Sequence, residues 1–526
     1  MDYQVFDTTL RDGAQREGIS YSVVDKLAVA RLLDDFGVGF IEGGWPGAMP
    51  KDTEFFRRAR TELDLKHAQL VAFGATRKAG VGVAEDAQVR ALLDAETPVV
   101  CLVAKSDIRH VERALRTTGD ENLAMVRDSV AHFVKEGRRV FLDCEHFFDG
   151  FRFDPAYTAS VVAAALDGGA ERVVMCETNG GMLPSRITKA IGELTARLGV
   201  SPDLLGIHCQ NDTSCAVANT VAAVEAGVEH FQCTANGYGE RPGNADLFAV
   251  VSNLQLKLGL PVLPDGCLEQ AMRVSHAIAE IANIAPDTHQ AYVGAAAFAH
   301  KAGLHASAIK VDPVLYNHIE PSVVGNDMRI LVTEMAGRAS IELKSRELGI
   351  DLTGHPTELS RVTQKVKDLE AGGWSFEAAD ASFELLVRAE LPGSDLVRPF
   401  TLESYRVQVE HREDGAVVSE ATVKVRVRGE RVIAAAEGNG PVNALDEALR
   451  VALSKHYPDL KSFELADYKV RILEGSHGTG AVTRVLLETT DGTRDWTTVG
   501  VHENVVEASW HALVDALTYG LARSLV

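Results

Sequence analysis

Over roughly the first half of the chain, short runs of apolar and β-branched residues alternate with longer stretches in which apolar positions recur every three or four residues. The strand-like runs fall at 3–7, 39–43, 69–74, 98–104, 139–144, 172–176, 204–208 and 230–234. Helix-like stretches lie between them, among them 22–36, 120–136 and 155–167. Strands alternating with helices predict right-handed βαβ units and a parallel sheet. Eight units predict closure into a (β/α)₈ barrel. An open doubly wound sheet is the alternative, but no G-x-G-x-x-G follows the first strand-like run.

The texture changes twice after the barrel, and the expected organisation is α/β in three parts. These are a barrel over 1–265, a helical linker or lid over 266–375, and an α+β pseudo-repeat over 376–526. The middle part carries helical patterns at 268–284, 335–348 and 356–371. In the last part, Phe400-Thr-Leu402-Glu-Ser-Tyr405-Arg-Val407 recurs as Phe463-Glu-Leu465-Ala-Asp-Tyr468-Lys-Val470. Each copy runs on into alternating strands (421–427; 483–488) and then an amphipathic helix (442–453; 505–517), so the pattern predicts a pseudo-symmetric module. It shows no catalytic constellation, and a role in regulation or association is expected.

Polar residues gather where the strand-like runs end: Arg11 and Asp12, Glu42, Lys105, Glu145 and His146, Glu177 and Thr178, His208 and Gln210, and the stretch from Asn236 to Asn244. Any one of these suits a helix cap. In a barrel all of them share the C-terminal face, where active sites lie. Asp12, His208, Gln210 and Asn244 can converge on one cation. Three oxygen-bearing side chains with one imidazole suit Mg²⁺ or Mn²⁺, with Zn²⁺ the alternative. Such an ion would act as a Lewis acid on a 2-oxo acid, with Arg11 stabilising the developing alkoxide.

Charge and cysteine content narrow the class. With 53 basic and 74 acidic residues the chain carries −21, and it has no basic block. Nucleic acid and anionic membrane are poor partners for such a chain. Seven cysteines without a C-x-x-C read as reduced thiols. Asp2 leads straight into a strand-like run, and no apolar run reaches the ~18 residues of a membrane span. A cytoplasmic setting is expected.

Asp7-Thr-Thr-Leu-Arg-Asp-Gly13 and Asn236-Gly-Tyr238-Gly-Glu240-Arg241-Pro-Gly243-Asn244-Ala245 resemble the two signatures of the metal-dependent aldol/Claisen barrels. That family includes the 2-isopropylmalate, homocitrate and citramalate synthases and hydroxymethylglutaryl-CoA lyase. The stretches 41–52, 143–150 and 298–305 are similar to its citramalate-forming branch. The C-terminal repeat resembles the regulatory domain of the synthases, which the lyases lack; a lyase and a non-catalytic effector-binding protein are the competing classes.

The resemblance implies condensation of acetyl-CoA with a 2-oxo acid, here pyruvate, with 2-isopropylmalate chemistry as the alternative. It implies metal ligation by Asp12 and His208 with Asn244 close by, carbonyl polarisation by Arg11, and carboxylate binding by Thr178. It implies a part for Glu145 in acetyl-CoA activation or hydrolysis. His305 and Tyr316 are implied to reach the site from the helical part of a partner subunit in a homodimer, and isoleucine is the implied effector. The chain departs from the family in two places: Gln210 stands where a second His is usual, and Glu177 where Asp is usual.

Overall fold

The computed structural model describes residues 3–301, 303–332, 337–392, 398–473 and 480–524. These pack into two compact units. The first holds the chain up to residue 298 together with 319–327; the second holds 299–318 and 328 onward.

In the first unit eight strands close a parallel barrel in sequence order: β1 (Gln4–Asp7), β2 (Phe40–Gly44), β3 (Gln69–Ala75), β4 (Val99–Lys105), β5 (Arg139–Glu145), β6 (Arg172–Glu177), β7 (Leu205–Cys209) and β8 (His230–Cys233). The ring closes between β1 and β8, where Phe6 lies opposite Gln232 and Asp7 opposite Cys233. The expected barrel is therefore present, each strand lying within one or two residues of its sequence pattern. Side chains alternate across each strand. Val5, Ile41, Val100, Leu142 and Val173 face the surrounding helices, whereas Phe6, Phe40, Phe73, Cys101 and Phe141 fill the interior. Helix starts follow local chemistry. Ser22 makes a reciprocal capping box with Asp25 ahead of helix Val23–Asp35, and Asp154 caps Pro155–Gly168.

In the second unit a two-residue strand pair, β9 (Ala299–His300) and β10 (Arg329–Ile330), precedes helices Arg338–Glu347, Pro356–Ala371 and Asp380–Glu390. Residues 335 and 336 of the expected 335–348 helix lie outside the described residues. The repeat then forms two three-stranded antiparallel sheets. One is β11 (Thr401–His411), β12 (Val417–Val427) and β13 (Glu430–Gly438), with helix Pro441–Leu453. The other is β14 (Glu464–Ile472), β15 (Thr483–Thr490) and β16 (Asp495–His502), with helix Val505–Ser524. Even the irregularities repeat: the ladder slips between Leu402 and Ser404 in one copy and between Leu465 and Asp467 in the other. Among the described residues no helix is long and apolar enough to cross a membrane. The seven cysteines are free thiols.

Candidate active site

The residues after β1 form a tight turn whose backbone is tied to Thr8: the N–H groups of Arg11 and Gly13 both donate to its carbonyl. The Thr8 hydroxyl donates to Glu42 Oε2 in the middle of β2 and accepts from the Asp12 N–H. The turn is thereby held against the neighbouring strand, and Arg11 is delivered over the barrel mouth. Arg11 Nε donates to Glu42 Oε2 at 2.6 Å, Nη1 reaches Asp12 Oδ1 at 3.2 Å, and the guanidinium lies 3.9 Å from the Phe73 ring. Burial opposes the Arg11 charge, but Glu42, Asp12 and Asp143 more than compensate and hold its pKa above the ordinary value. Burial would likewise raise the Asp12 pKa, yet Arg11 and His208 hold it well below the usual carboxylate range.

Two strands from β1 in the closed ring, β7 supplies His208, whose Nε2 lies 3.4 Å from Asp12 Oδ2. Burial works against the imidazolium, but the hydrogen bond and charge of Asp12 prevail, and the His208 pKa lies above its ordinary value. Gln210 Nε2 sits 3.2 Å from Asp12 Oδ2 and 3.4 Å from His208 Nε2, and Gln210 forms an isolated bridge with Asn244. Asn244 donates its own amide to Tyr238 O. Asp12, His208, Gln210 and Asn244 thus come together as the sequence predicts.

The donor set can be tested for fit to a cation. Gln210 Oε1 and Asn244 Oδ1 are both buried without a hydrogen-bond partner. A buried carbonyl oxygen left unmatched costs about 1–3 kcal/mol. Gln210 presents its Nε2 to Asp12 and His208, and turning that amide over would bring its orphaned Oε1 beside them, a set that fits a divalent ion with oxygen-rich ligation. Glu42, Cys101 and Asp143 also lie within 4.8 Å of one another, but the Arg11 guanidinium already supplies the positive charge on Glu42, so this group reads as its counter-charge.

Around the centre lies a 630 Å³ cavity lined by Arg11, Asp12, Trp45, Phe73, Lys105, Asp143, Glu145, Thr178, His208 and Gln210. Glu145 ends β5 and pairs with Lys105 of β4. His146 follows in the left-handed region, with φ 60°, and its N–H donates to Thr178 Oγ1 at 2.8 Å. Because that oxygen accepts from the backbone, the Thr178 O–H is left to donate into the cavity. Glu177, set by burial at a pKa of about 7, accepts from the Gly181 N–H at 3.1 Å.

His305 and Tyr316 belong to the second unit. Their rings stack at 4.1 Å, and His300 lies 6.3 Å from His305 and bonds Asn317. The structure groups these two with each other.

Two residues next to the centre carry no role in the sequence reading. Asp143 and Gln232 are buried inside the barrel and bonded to each other at 2.8 Å. Their signal is the period of two: Asp143 shares the inward face with Phe141, and Gln232 shares it with His230. On β5 the polar Asp143 follows the apolar Phe141 on that face, and on β8 Gln232 follows the buried His230.

Three family models match the chain: HMGL-like over residues 2–278, homocitrate synthase post-HMGL domain-like over 292–373, and the LeuA allosteric (dimerisation) domain over 377–521. The (R)-citramalate synthase of Streptomyces coelicolor is 64% identical over 522 residues, covering 99% of this chain and 97% of that protein. The (R)-citramalate synthase of Aquifex aeolicus is 47% identical, covering 99% and 98%. A probable 2-isopropylmalate synthase of Methanopyrus kandleri is 33% identical, covering 97% of each. With a family model spanning more than half its length and relatives this similar from end to end, the chain belongs to the HMGL-like barrel family, in the 2-isopropylmalate/homocitrate synthase group that carries a LeuA domain.

Proposed function

We propose that this chain condenses acetyl-CoA with pyruvate and hydrolyses the thioester, giving (R)-citramalate and CoA, a step toward isoleucine. The substrate choice rests on the full-length relatives at 64% and 47% identity, both named (R)-citramalate synthase. The chemistry rests on one observation: Arg11, Asp12 and His208 converge on a cavity beside two orphaned carbonyl oxygens.

Asp12, His208, Asn244 and Gln210 would hold a divalent ion, Mg²⁺ or Mn²⁺, with Zn²⁺ as the alternative. When bound, such an ion supplies Lewis acidity toward the carbonyl of the oxo acid. The remaining work falls to the chain. Arg11, fixed by Glu42, donates to the carbonyl oxygen as it becomes an alkoxide. Thr178 donates its hydroxyl to the substrate carboxylate. Glu145, oriented by Lys105, takes a proton from the acetyl methyl group, so that the methyl carbon attacks the carbonyl carbon. Water then cleaves the thioester and releases CoA. His305 and Tyr316 complete the site of a partner subunit within a homodimer joined through the LeuA domain, and isoleucine lowers turnover through that domain. The chain divides functionally at 1–265, 266–375 and 376–526. Free thiols suit a cytoplasmic enzyme.

The test is CoA release from acetyl-CoA with a panel of 2-oxo acids, with and without Mg²⁺ or Mn²⁺, and with isoleucine or leucine added. Pyruvate is expected to be preferred, with release dependent on the ion. A second reading, 2-isopropylmalate synthesis, is favoured by the 33% identical relative and by the apolar cavity wall of Trp45, Phe73, Val103 and Met125. Preference for 3-methyl-2-oxobutanoate would establish it; each methylene of difference changes selectivity by only about 1–3 kcal/mol. No CoA release with any acid would end both readings.

A further inference from the structure

Among the buried polar side chains of the barrel interior that the reaction above leaves unused are Asp143 on β5 and Gln232 on β8. Gln232 spans the space between Asp143 and His208. Its Nε2 donates to Asp143 Oδ1 at 2.8 Å, and its Oε1 lies 2.9 Å from His208 Nδ1. The direction of these two hydrogen bonds follows from donor and acceptor inventory. A carboxylate only accepts, so the amide nitrogen of Gln232 faces Asp143. The amide oxygen therefore faces the imidazole, and a carbonyl oxygen also only accepts. His208 must then carry a proton on Nδ1. Once the ring is neutral, its lone pair resides on Nε2, the atom that faces Asp12 and Gln210.

We propose that Asp143 and Gln232 act as a positioning relay: Asp143 sets the orientation of the Gln232 amide, and Gln232 locks His208 in the one tautomer that presents a lone pair to the cation centre. The proposal rests on the reading of Asp12, His208, Gln210 and Asn244 as that centre. Turning the amide over would set its NH₂ group against Nδ1. That would favour the opposite tautomer, with a proton on Nε2 where a ligand lone pair is needed. Burial makes the constraint strict, because Gln232 is 1% exposed and no water competes for its amide. A histidine ligand held in this way through its other ring nitrogen gains both orientation and basicity.

The experiment is calorimetric titration of the full-length protein with Mn²⁺ at pH 7.5, which reads the centre without reference to turnover. Asp12→Ala and His208→Ala should abolish the tight site. Gln232→Leu should weaken Mn²⁺ binding by about 10–100-fold. The exchanged pair Asp143→Asn with Gln232→Glu should restore most of the loss. In that pair the amide introduced on β5 donates to the carboxylate introduced on β8, and that carboxylate still accepts from Nδ1. Should Gln232→Leu fail to fold, the near-isosteric Asp143→Asn serves in its place. An amide at 143 can face Gln232 with either end, the orientation is freed, and a smaller weakening is expected. Unchanged Mn²⁺ affinity in Gln232→Leu or in Asp143→Asn, with the Asp12→Ala loss intact, overturns the relay and leaves the centre standing. An exchanged pair as weak as Gln232→Leu also overturns it. Mn²⁺ binding that survives both Asp12→Ala and His208→Ala overturns the underlying reading of the centre.

Discussion

His208 and His230 sit on adjacent strands of one barrel, both buried, and their chemistry is opposite. At the mouth, His208 faces Asp12, and its pKa is raised despite burial. Toward the other end, His230 lies among Phe6, Phe40 and Phe141, with ring centroids 5.3, 6.4 and 4.7 Å away. Burial, aided by Arg172, pushes its pKa down to about 3. Its Nδ1 meets Gln4 Oε1 at 3.0 Å, and its Nε2 has no partner. One ring is tuned to hold positive charge and the other to refuse it. The difference comes from the neighbours, a carboxylate in one case and a phenyl cage in the other. The barrel thus divides along its axis into a charged mouth, where chemistry is possible, and a plug of phenyl rings around a neutral imidazole at the other end.

The largest effect should come from removing the cation that organises the mouth. Arg11→Ala is expected to reduce CoA release below detection. It should also lower stability by about 3–5 kcal/mol, because Glu42 is fully buried and would lose its partner. Asp12→Asn separates these effects. Its shape is kept and Arg11 remains paired with Glu42, so the loss of stability should be smaller than in Arg11→Ala, limited to the charge that Arg11 and His208 favour on Asp12, while turnover falls roughly 10²–10³-fold. Steady-state CoA release alongside thermal melting checks both variants. Near-normal turnover in either would erase the distinction between mouth and plug.

Much of this division is legible in the amino-acid sequence. Eight strand-like runs alternating with amphipathic helices specify the barrel, and barrel geometry places every strand end on one face. Asp12, His208, Gln210 and Asn244 are therefore legible as a group although 232 residues separate the first from the last. The pairing of Arg11 with Glu42 is less so, because sequence marks Glu42 only as the end of a strand. Asp143 and Gln232 lie one inward position below the strand ends, where a search confined to loop residues passes over them. The place of His305 and Tyr316 in the chemistry is legible only through family likeness. A role supplied to a partner's site, as proposed, would leave no signal in the periodicity of a single chain.

Gln210 offers a smaller and more selective test of the mouth. A neutral amide oxygen is a harder ligand than an imidazole, so the proposed centre, with Gln210 as a ligand, would lean toward hard ions. Gln210→His should shift preference from Mg²⁺ toward Zn²⁺ by roughly tenfold, equivalent to about 1.4 kcal/mol. Competition titrations with the two ions measure this directly. An unchanged preference would place Gln210 outside the ligand set, and the orphaned Oε1 would need another partner.

The smallest effect on turnover, none at pH 7.5, is expected for His230→Phe, and there the contrast shows in stability alone. A histidine whose folded pKa is about 3, against about 6.5 in the unfolded chain, binds its proton first in the unfolded state. Its contribution is intact above pH 6.5 and is lost as pH falls toward 3, at up to about 1.4 kcal/mol per pH unit. Phenylalanine fits the same cage and has nothing to titrate. At neutral pH the variant gives up the Gln4 hydrogen bond, at a cost of about 1 kcal/mol. Between pH 6.5 and 4.5 it should gain about 2–3 kcal/mol relative to the parent. Urea unfolding at a series of pH values reads that difference directly, because the remaining titrating groups are common to both chains and cancel. Parallel pH profiles for the two proteins would mean that His230 is protonated inside its phenyl cage, and that the plug tolerates an imidazolium as the mouth does.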